Sequence, residues 1–210
     1  AGALGRATGM NDLSFAQFQL PPGQLKNLAD LGYHRATAIQ AAALPLALEG
    51  RDIIGQAKTG SGKTAAFGIP ILCKLNPRDF GTQALVLCPT LELAAQVASE
   101  IRRLARYQQN IKVVTLTGGQ SIGPQIGSLE HGAHIVVGTP GRLKDHLRKK
   151  TLDLSRAATV VLDEADRMLD MGFVEDIETI VGATPASRQT LLFSATYPDN
   201  IQRLSAQFQT

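Results

Sequence analysis

A glycine-rich run behind a short apolar stretch constrains this chain more than any other feature. Residues 57–64 read Ala-Lys-Thr-Gly-Ser-Gly-Lys-Thr, follow the apolar residues 52–56, and open a helix-periodic segment that continues through Ile71. A strand, a glycine-rich turn and a helix in this order let consecutive backbone N–H groups face one anion. The strict pattern begins with glycine, where this chain has Ala57. The run predicts a phosphate-binding loop for a nucleoside triphosphate, and the alternative is a glycine-rich turn that binds nothing.

Apolar runs rich in β-branched residues recur along the chain, and segments of helical period lie between most of them. Continuous apolar runs suit strands that are buried on both faces, which is typical of a parallel sheet covered by helices. The sequence therefore predicts an α/β fold, with functional residues at the carboxyl ends of the strands. The predicted strands are residues 52–56, 84–88, 112–116, 134–138, 159–162 and 190–193.

Length and composition indicate one globular domain. The chain has 210 residues, 44% of them hydrophobic, and a net charge of +3, which permits polyanion binding without demonstrating it. We assign residues 10–210 to the domain and interpret residues 1–9 as an expression remnant or disordered tail outside the fold. We expect Cys73 and Cys88 to be buried reduced thiols of an intracellular protein, and His131 and His134 to be solvated or capping. No metal-binding pattern of His and Cys and no membrane-length apolar run is present.

A carboxylate cluster follows the predicted strand 159–162. Asp163, Glu164 and Asp166 lie about a hundred residues beyond the phosphate-binding loop. Asp163 together with Thr64 suits Mg²⁺, which prefers oxygen ligands and retains several waters. Glu164 is then free to act as the base that positions water at the γ-phosphate, while Lys63 reaches the β- and γ-phosphates. The alternative is an acidic first turn of a helix, favoured by the helix dipole.

The run Asp-Glu-Ala-Asp at residues 163–166 also names a family, and the chain resembles the N-terminal RecA-like domain of DEAD-box ATP-dependent RNA helicases over roughly residues 13–208. The sequence around residues 168–173 and 189–193 is similar to that of bacterial members, especially the ribosome-associated DbpA-like branch. The resemblance implies a RecA-like sheet, ATP and Mg²⁺ as ligands, and RNA as substrate; the resemblance to the DbpA-like branch implies ribosomal RNA. It also implies a cytoplasmic monomer that needs a second RecA-like domain, which this chain lacks.

The resemblance implies that Gln40 binds the adenine edge, Tyr33 stacks on the adenine ring and Phe15 supports the pocket. The alternative for Gln40 is a glutamine on a helix surface. The alternative for Tyr33 and Phe15 is packing in the core. Two prolines of the family pattern are Ala36 and Ala38 here. The implied nucleotide-binding residues are Phe15, Tyr33, Thr37, Gln40, Ala57, Lys58, Thr59, Gly60, Ser61, Gly62, Lys63 and Thr64.

The resemblance places RNA on loops at the strand ends. Thr139 suits an N-cap and Pro140 a first helical position, so the helix that begins there would present free N–H groups to a phosphate. Plain helix capping with a solvated Arg142 is the alternative. Leu91 stands where the family has arginine, which predicts weaker RNA binding or altered coupling. The implied RNA-binding residues are Pro89, Thr90, Gly118, Gly119, Thr139, Pro140, Gly141 and Arg142.

The resemblance also implies a coupling role, between the carboxylate cluster and RNA, for four residues. They are Asp166, Ser194, Ala195 and Thr196. The alternative for residues 194–196 is a polar turn that caps the next helix. We expect the chain alone to bind ATP or ADP with little turnover and no unwinding, because the family's arginine finger lies in the second domain. Two other functions stay open: a P-loop motor that acts on DNA or protein, and a non-enzymatic RNA-binding module with a vestigial loop.

Overall fold

Seven parallel strands form one sheet in the computed structural model, which describes the backbone of residues 3–5 and the whole of residues 14–210. The strand order is β1-β2-β7-β6-β3-β5-β4. The strands are β1 Ala3–Gly5, β2 Ile53–Gln56, β3 Ala84–Leu87, β4 Val113–Leu116, β5 Ile135–Gly138, β6 Thr159–Leu162 and β7 Gln189–Ser194. The six strands predicted from sequence are confirmed to within one residue at each end.

Helices cover both faces of the sheet. They are α1 Pro22–Asp30, α2 Ala38–Leu48, α3 Lys63–Lys74, α4 Leu91–Leu104, α5 Ile122–Glu130, α6 Pro140–Arg148, α7 Ala165–Asp170, α8 Val174–Gly182 and α9 Asp199–Phe208. Short 3₁₀ turns occupy Phe15–Phe18 and Ala105–Tyr107. None of the helices within the described residues is long and apolar enough to cross a membrane.

The continuous apolar strands divide the core into two layers. Alternate residues of β3 point to opposite faces, so Val86 packs with Phe67 of α3 and Phe193 of β7, while Leu85 packs with Met168 of α7 on the other face. The Phe67 and Phe193 rings lie 5.6 Å apart between centroids. Each fully buried side chain of this size stabilises the fold by roughly 1.5–3 kcal/mol, which fixes the sheet firmly beneath the loops at its edge.

The first residues of the chain differ from expectation. The sequence predicts that residues 1–9 lie outside the fold, but Ala3–Gly5 pairs in parallel with Ile53–Gly55 at the edge of the sheet. The backbone ladder accounts for this pairing, because an edge strand such as β2 offers unpaired N–H and C=O groups to an extended segment. The other residues of the predicted tail lie outside the described part of the chain.

The cysteines and histidines correct two further expectations. Cys73 and Cys88 are both free thiols, but Cys73 is exposed and only Cys88 is buried. His134 is buried and not solvated: its Nδ1 accepts from the Lys112 backbone N–H at 2.9 Å, and its Nε2 lies 2.9 Å from the Pro77 carbonyl oxygen. The ring therefore holds the start of β5 to two loops, and this long-range pairing leaves no local sequence pattern.

Strand order sorts the predicted site residues into two groups. The carboxyl ends of β2, β7 and β6 are neighbours in the sheet, and so are those of β3, β5 and β4. The first group brings the phosphate-binding loop beside residues 163–166 and 194–196. The second group brings together residues 89–90, 118–119 and 139–142. Two adjacent halves of one sheet edge thus carry the nucleotide and RNA residues that the sequence predicts.

Candidate functional site

The phosphate-binding loop (residues 57–64) forms a tight turn between β2 and α3. Gly60 and Gly62 have φ values of +84° and +83°, a left-handed conformation that glycine adopts without a Cβ clash. The Ala57 backbone N–H donates to the Ser194 carbonyl at 3.0 Å, so alanine here continues the pairing with β7. Lys63 is the first residue of α3, and the free N–H groups of that helix start face the loop.

Lys63 and Asp163 form a buried ion pair in front of the loop. Lys63 Nζ lies 2.8 Å from Asp163 Oδ1, and the two residues are 4% and 0% exposed. Burial raises the pKa of the Asp163 carboxyl above its ordinary value, and the Lys63 ammonium opposes that shift. A buried charge without a partner is costly, so the Asp163 carboxylate stabilises the buried Lys63 ammonium beside the site where phosphates would bind.

Asp163 also fits the requirement for a Mg²⁺ ligand. Its second oxygen, Oδ2, is buried and makes no hydrogen bond to any of residues 14–210. Thr64, the predicted second ligand, follows Lys63 at the start of α3. Mg²⁺ is usually held by one or two protein oxygens, with water and substrate phosphates completing the shell, so this sparse donor set suits it.

Glu164 adopts an unusual backbone conformation that turns it toward the phosphate-binding loop. Its φ and ψ are both 52°, in the left-handed region, where it forms the N-cap of α7. Its Oε1 accepts a hydrogen bond from the Thr59 hydroxyl at 2.8 Å and lies 3.9 Å from Lys63 Nζ. Backbone strain in a residue that contacts a ligand loop is common at functional sites. An acidic first turn that merely favours the helix dipole does not explain this conformation.

The segment after β7 contacts the carboxylate cluster directly. The Thr196 hydroxyl donates to Asp166 Oδ2 at 3.0 Å, and the Gln56 side-chain amide donates to the Ala195 carbonyl at 3.3 Å. Ser194 is buried as the last residue of β7. Helix α9 begins after Pro198 with no side-chain cap, so the polar turn at 194–196 does not serve as its cap.

Gln40 links the start of α2 to the phosphate-binding loop. It is 1% exposed, which excludes the surface-glutamine alternative. Its Oε1 accepts from the Thr37 backbone N–H at 2.9 Å, and its Nε2 donates to the Gly62 carbonyl at 3.0 Å. A primary amide has two N–H donors and two lone pairs, so one of each is still available. That remaining donor and acceptor could pair with the amino group and a ring nitrogen of adenine.

The loop, α2 and α4 together enclose a cavity of about 410 Å³, here called the nucleotide cavity. Tyr33 lines it, and its hydroxyl donates to the Glu100 carboxylate; burial and that carboxylate raise the pKa of Tyr33. Phe15 is buried and meets the Tyr33 ring edge-on at 6.5 Å, so it supports Tyr33 from behind. Helix α4 contributes Gln96 and Glu100 to the cavity wall, and the sequence did not predict these residues. Helical period alone does not show which face of α4 meets the cavity.

The second half of the sheet edge joins three loops. Thr90 caps α4, since its hydroxyl accepts from the Leu93 N–H at 3.2 Å. Thr139 occupies the N-cap position of α6, but its side chain makes no capping bond; its hydroxyl accepts instead from the Gly118 N–H at 3.3 Å. The predicted N-cap position of Thr139 is therefore confirmed, although its side chain does not cap the helix. Its hydroxyl fastens the loop after β4 to the loop after β5, and Pro140 stands at the first helical position as predicted.

Arg142 is held in place by that same region. Its side chain is only 15% exposed, so the solvated-arginine alternative is wrong. Nη1 donates to the Gln120 carbonyl at 2.9 Å and to Gln125 Oε1 at 3.2 Å, while Nε lies 3.8 Å from Asp145. Gln125 was not predicted, because an isolated glutamine in a helical pattern carries no local signal.

Leu91 lies at the first position of α4, beside a groove of about 480 Å³ between α4 and α5, here called the α4–α5 groove. Leu91, Thr117 and Gln125 are among the residues that line it. An arginine at position 91 would bring a cation to the mouth of this groove. Leucine offers apolar surface there instead.

Comparison with known proteins gives the family of this chain. The family model described as "DEAD/DEAH box helicase" matches residues 37–204, which is most of the chain. The chain therefore belongs to the DEAD/DEAH box helicase family, and the family resemblance inferred from its motifs is confirmed. The RecA-like α/β fold is confirmed as well, by a crystal structure of a DEAD box protein from the hyperthermophile Methanococcus jannaschii. That structure has a TM-score of 0.89 and 42% identity, covering 94% of this chain and 54% of the other.

Curated relatives are named as ATP-dependent RNA helicases. The chain is 59% identical over 190 residues to "ATP-dependent RNA helicase DbpA" of Escherichia coli strain K12, covering 90% of this chain and 42% of the relative. It is 50% identical over 198 residues to "DEAD-box ATP-dependent RNA helicase CshA" of Bacillus licheniformis, covering 94% of this chain and 40% of that relative. The chain thus spans less than half the length of the two relatives.

Proposed function

We propose that this chain is the ATP-binding RecA-like domain of a DEAD-box RNA helicase, which binds RNA and separates short duplexes when joined to a second RecA-like domain. One observation carries the proposal: Lys63 and the Gln40 amide line one cavity, and Asp163 and Glu164 contact the cavity-lining residues Lys63 and Thr59. Family membership adds that relatives with this motif set are named ATP-dependent RNA helicases.

In this proposal the loop residues bind the nucleotide phosphates. The N–H groups of residues 59–64 and the positive end of α3 attract the anion, and Lys63 turns from Asp163 toward the phosphates. Asp163 and Thr64 would hold Mg²⁺, which neutralises charge that develops on the phosphate oxygens. Tyr33 packs against the adenine ring while the remaining donor and acceptor of Gln40 pair with its edge. Adenine is therefore preferred over guanine.

Glu164 is the proposed general base. Its carboxylate stands beside the Mg²⁺ ligand and is held by Thr59, so it can accept a proton from a water aligned with the γ-phosphate. Asp166 and Thr196 would transmit changes at the carboxylate cluster to the segment after β7. The arginine finger that the family resemblance assigns to the second domain contributes about 10³- to 10⁵-fold in comparable enzymes, so turnover by this chain alone should be slow.

RNA would bind across the ends of β3, β5 and β4. The backbone N–H of Gly119 and those at the start of α6, together with Arg142, suit phosphates and carry little sequence information, while the Gly118 N–H is already bonded to the Thr139 hydroxyl. Sequence choice would then belong to other parts of the helicase. We infer that ribosomal RNA is the target class, from the sequence similarity to the DbpA-like branch alone. We infer a cytoplasmic monomer from the family resemblance. The exposed thiol of Cys73 suits a reducing compartment.

Calorimetric titration with ADP and GDP in Mg²⁺ tests the nucleotide half of the proposal. The unmodified chain should prefer ADP, and Gln40→Ala should lose that preference while still binding both nucleotides through the phosphate-binding loop. Gln24→Ala is the matched control, because Gln24 is also a fully buried amide but lies on α1 away from the cavity. It should keep the ADP preference even if it lowers stability.

Equal affinity of the unmodified chain for ADP and GDP would favour a P-loop motor of another kind. Absence of nucleotide binding would favour the vestigial-loop alternative. Titration with fluorescent oligouridine and with oligodeoxythymidine of equal length then separates RNA from DNA as the partner.

A further inference from the structure

A buried glutamine connects the two loops that the proposed RNA site uses. Gln125 is 8% exposed on α5, between the end of β4 and the face of α6. Its Nε2 donates to the Thr117 carbonyl at 3.0 Å. Its Oε1 lies 3.2 Å from Arg142 Nη1 and 2.9 Å from His146 Nε2. Three separate segments of chain therefore meet at one amide.

The chemistry of these partners fixes the amide in one orientation. A guanidinium is only a donor and a carbonyl is only an acceptor, so Oε1 must face Arg142 and Nε2 must face Thr117. His146 must then donate from Nε2, and its Nδ1 lies 2.7 Å from the Thr151 hydroxyl oxygen. Burial and the nearby Arg142 lower the pKa of His146, which favours the neutral ring. An amide whose two ends cannot exchange holds its partners in one arrangement.

The contacts close a ring around the RNA-facing loops. Thr117 is followed by Gly118, whose N–H donates to the Thr139 hydroxyl at 3.3 Å, and Thr139 leads into the first turn of α6, which carries Arg142. The Arg142 guanidinium donates to Gln125 Oε1, and Gln125 Nε2 donates to the Thr117 carbonyl, which completes the ring. Side chains fixed in this way bind more tightly, because less conformational entropy is lost when a ligand arrives.

We propose that Gln125 is a positioning residue for RNA binding: it fixes the Arg142 guanidinium relative to the Gly118–Gly119 turn, so that both can hold phosphates of one strand. The inference rests on the proposed function, since it assigns how the same RNA surface is kept in order. Gln125 itself need not touch RNA, because its polar atoms are already engaged within the protein.

Two measurements on the 210-residue chain test this. The first follows the Arg142 side-chain Nε by NMR ¹⁵N relaxation without RNA, and the second follows the affinity for fluorescein-labelled decauridine at fixed low salt. Gln125→Met keeps the volume and removes both hydrogen-bonding ends. It should release the Arg142 side chain, so that its heteronuclear NOE falls, and should weaken decauridine binding about tenfold, while ADP affinity stays within twofold. Gln125→Glu keeps the acceptor for Arg142 but loses the donor to the Thr117 carbonyl, so the Arg142 side chain should stay ordered and decauridine binding should weaken less than in Gln125→Met.

Ser128→Ala is the control, because Ser128 lines the same groove and its hydroxyl donates only within α5, to the Pro124 carbonyl. It should change neither readout. In an Arg142→Ala background, Gln125→Met should weaken binding by less than twofold further, whereas general loosening of the fold would lower affinity equally in both backgrounds and would also lower ADP affinity.

The possible results decide separately between this proposal and the proposed function. An Arg142 side chain that stays ordered in Gln125→Met overturns the positioning role, whatever RNA does. Release of Arg142 with unchanged decauridine affinity overturns it too. If the parent chain itself fails to bind decauridine, this surface does not hold RNA by itself and the positioning proposal is overturned, even where the relaxation data show that Gln125 orders Arg142; the proposed function, which assigns RNA binding to the two joined domains, is not.

Discussion

Gly62 combines a backbone requirement with a close contact, and the two can be separated experimentally. Its φ is +83°, and a Cβ added there would lie 2.6 Å from Gln40 Nε2 and 3.0 Å from Thr37 Oγ1. Gly60 has φ +84° but open space around its Cα. Alanine in the left-handed region costs roughly 1–2 kcal/mol at either position. Gly62→Ala should in addition displace the Gln40 amide.

We therefore predict that Gly62→Ala reduces the preference for ADP over GDP, whereas Gly60→Ala lowers stability by a similar backbone term and keeps that preference. Urea unfolding measures the loss of stability, and calorimetry measures the preference for ADP over GDP. Equal ADP-to-GDP ratios in the two variants would mean that the Gln40–Gly62 contact does not order the adenine pocket.

At the scale of single elements, β5 depends on a glycine for its packing. A Cβ on Gly138 would lie 2.7 Å from the Leu116 carbonyl oxygen and 2.7 Å from Leu143 Cδ2. The first contact is to backbone of the neighbouring strand, which cannot rotate away. We expect Gly138→Ala to destabilise the chain by about 1–3 kcal/mol, the usual range for overpacking.

Gly127→Ala provides the comparison for that prediction. Gly127 lies within α5 and has nothing within 4 Å of an added Cβ. Alanine there should stabilise by roughly 0.5–1 kcal/mol, since glycine is the poorer helix former. Urea unfolding of the two variants should shift the midpoint in opposite directions, and a stabilised Gly138→Ala would show that β4 and β5 can separate without cost.

The contact between α5 and α6 predicts a pH effect. Burial, Arg142 and Lys149 lower the pKa of His146 below its ordinary 6.5, while Asp145 opposes them. The folded state then binds fewer protons than the unfolded state, so this group's stability contribution is lost as pH falls from about 6.5 toward the lower folded-state pKa.

We expect His146→Gln to lessen the fall in unfolding free energy between pH 7 and pH 5. His131→Gln removes an exposed imidazole and serves as the control. The same pH slope in His146→Gln and in the unmodified chain would contradict a lowered pKa for His146.

The whole molecule should be stabilised by nucleotide. A ligand that binds only the folded state at one hundred times its Kd adds about 2.7 kcal/mol. ADP with Mg²⁺ should therefore raise the unfolding free energy by that amount. Chelation of Mg²⁺ should reduce the gain at equal ADP, and Lys63→Ala should abolish it. Thermal unfolding at several ADP concentrations provides the measurement; a shift that survives Lys63→Ala would place ADP elsewhere.

Turnover also belongs to the scale of the whole molecule. We expect the 210-residue chain to hydrolyse ATP at least about a thousandfold more slowly than a longer form with a second RecA-like domain, because the arginine finger would come from that domain. Steady-state phosphate release with and without oligouridine tests this. Robust RNA-stimulated hydrolysis by the chain alone would refute it.

Local chemistry made much of this protein readable in advance. The order of strands along the chain, the fold class and the phosphate-binding loop follow from apolar period, glycine positions and the lysine at the helix start, all of which act between neighbours in sequence. The Asp163–Glu164 pair was predictable for the same reason, since residues directly after a buried strand reach the sheet edge. The left-handed backbone of Glu164 was not predictable, because it depends on the contacts to Thr59 and Lys63.

Only the tertiary structure decided which strand ends and which side chains are neighbours in space. The strand order brings the ends of β2, β7 and β6 together, and it places separate motifs side by side at the proposed nucleotide site and the proposed RNA surface. It also buries His134, turns the Thr139 hydroxyl away from its own helix, and makes Gln125 the junction of three segments. Each of these depends on hydrogen bonds between residues far apart in the chain. Such pairings are set by how the packed helices and sheet align, and no local pattern records that alignment.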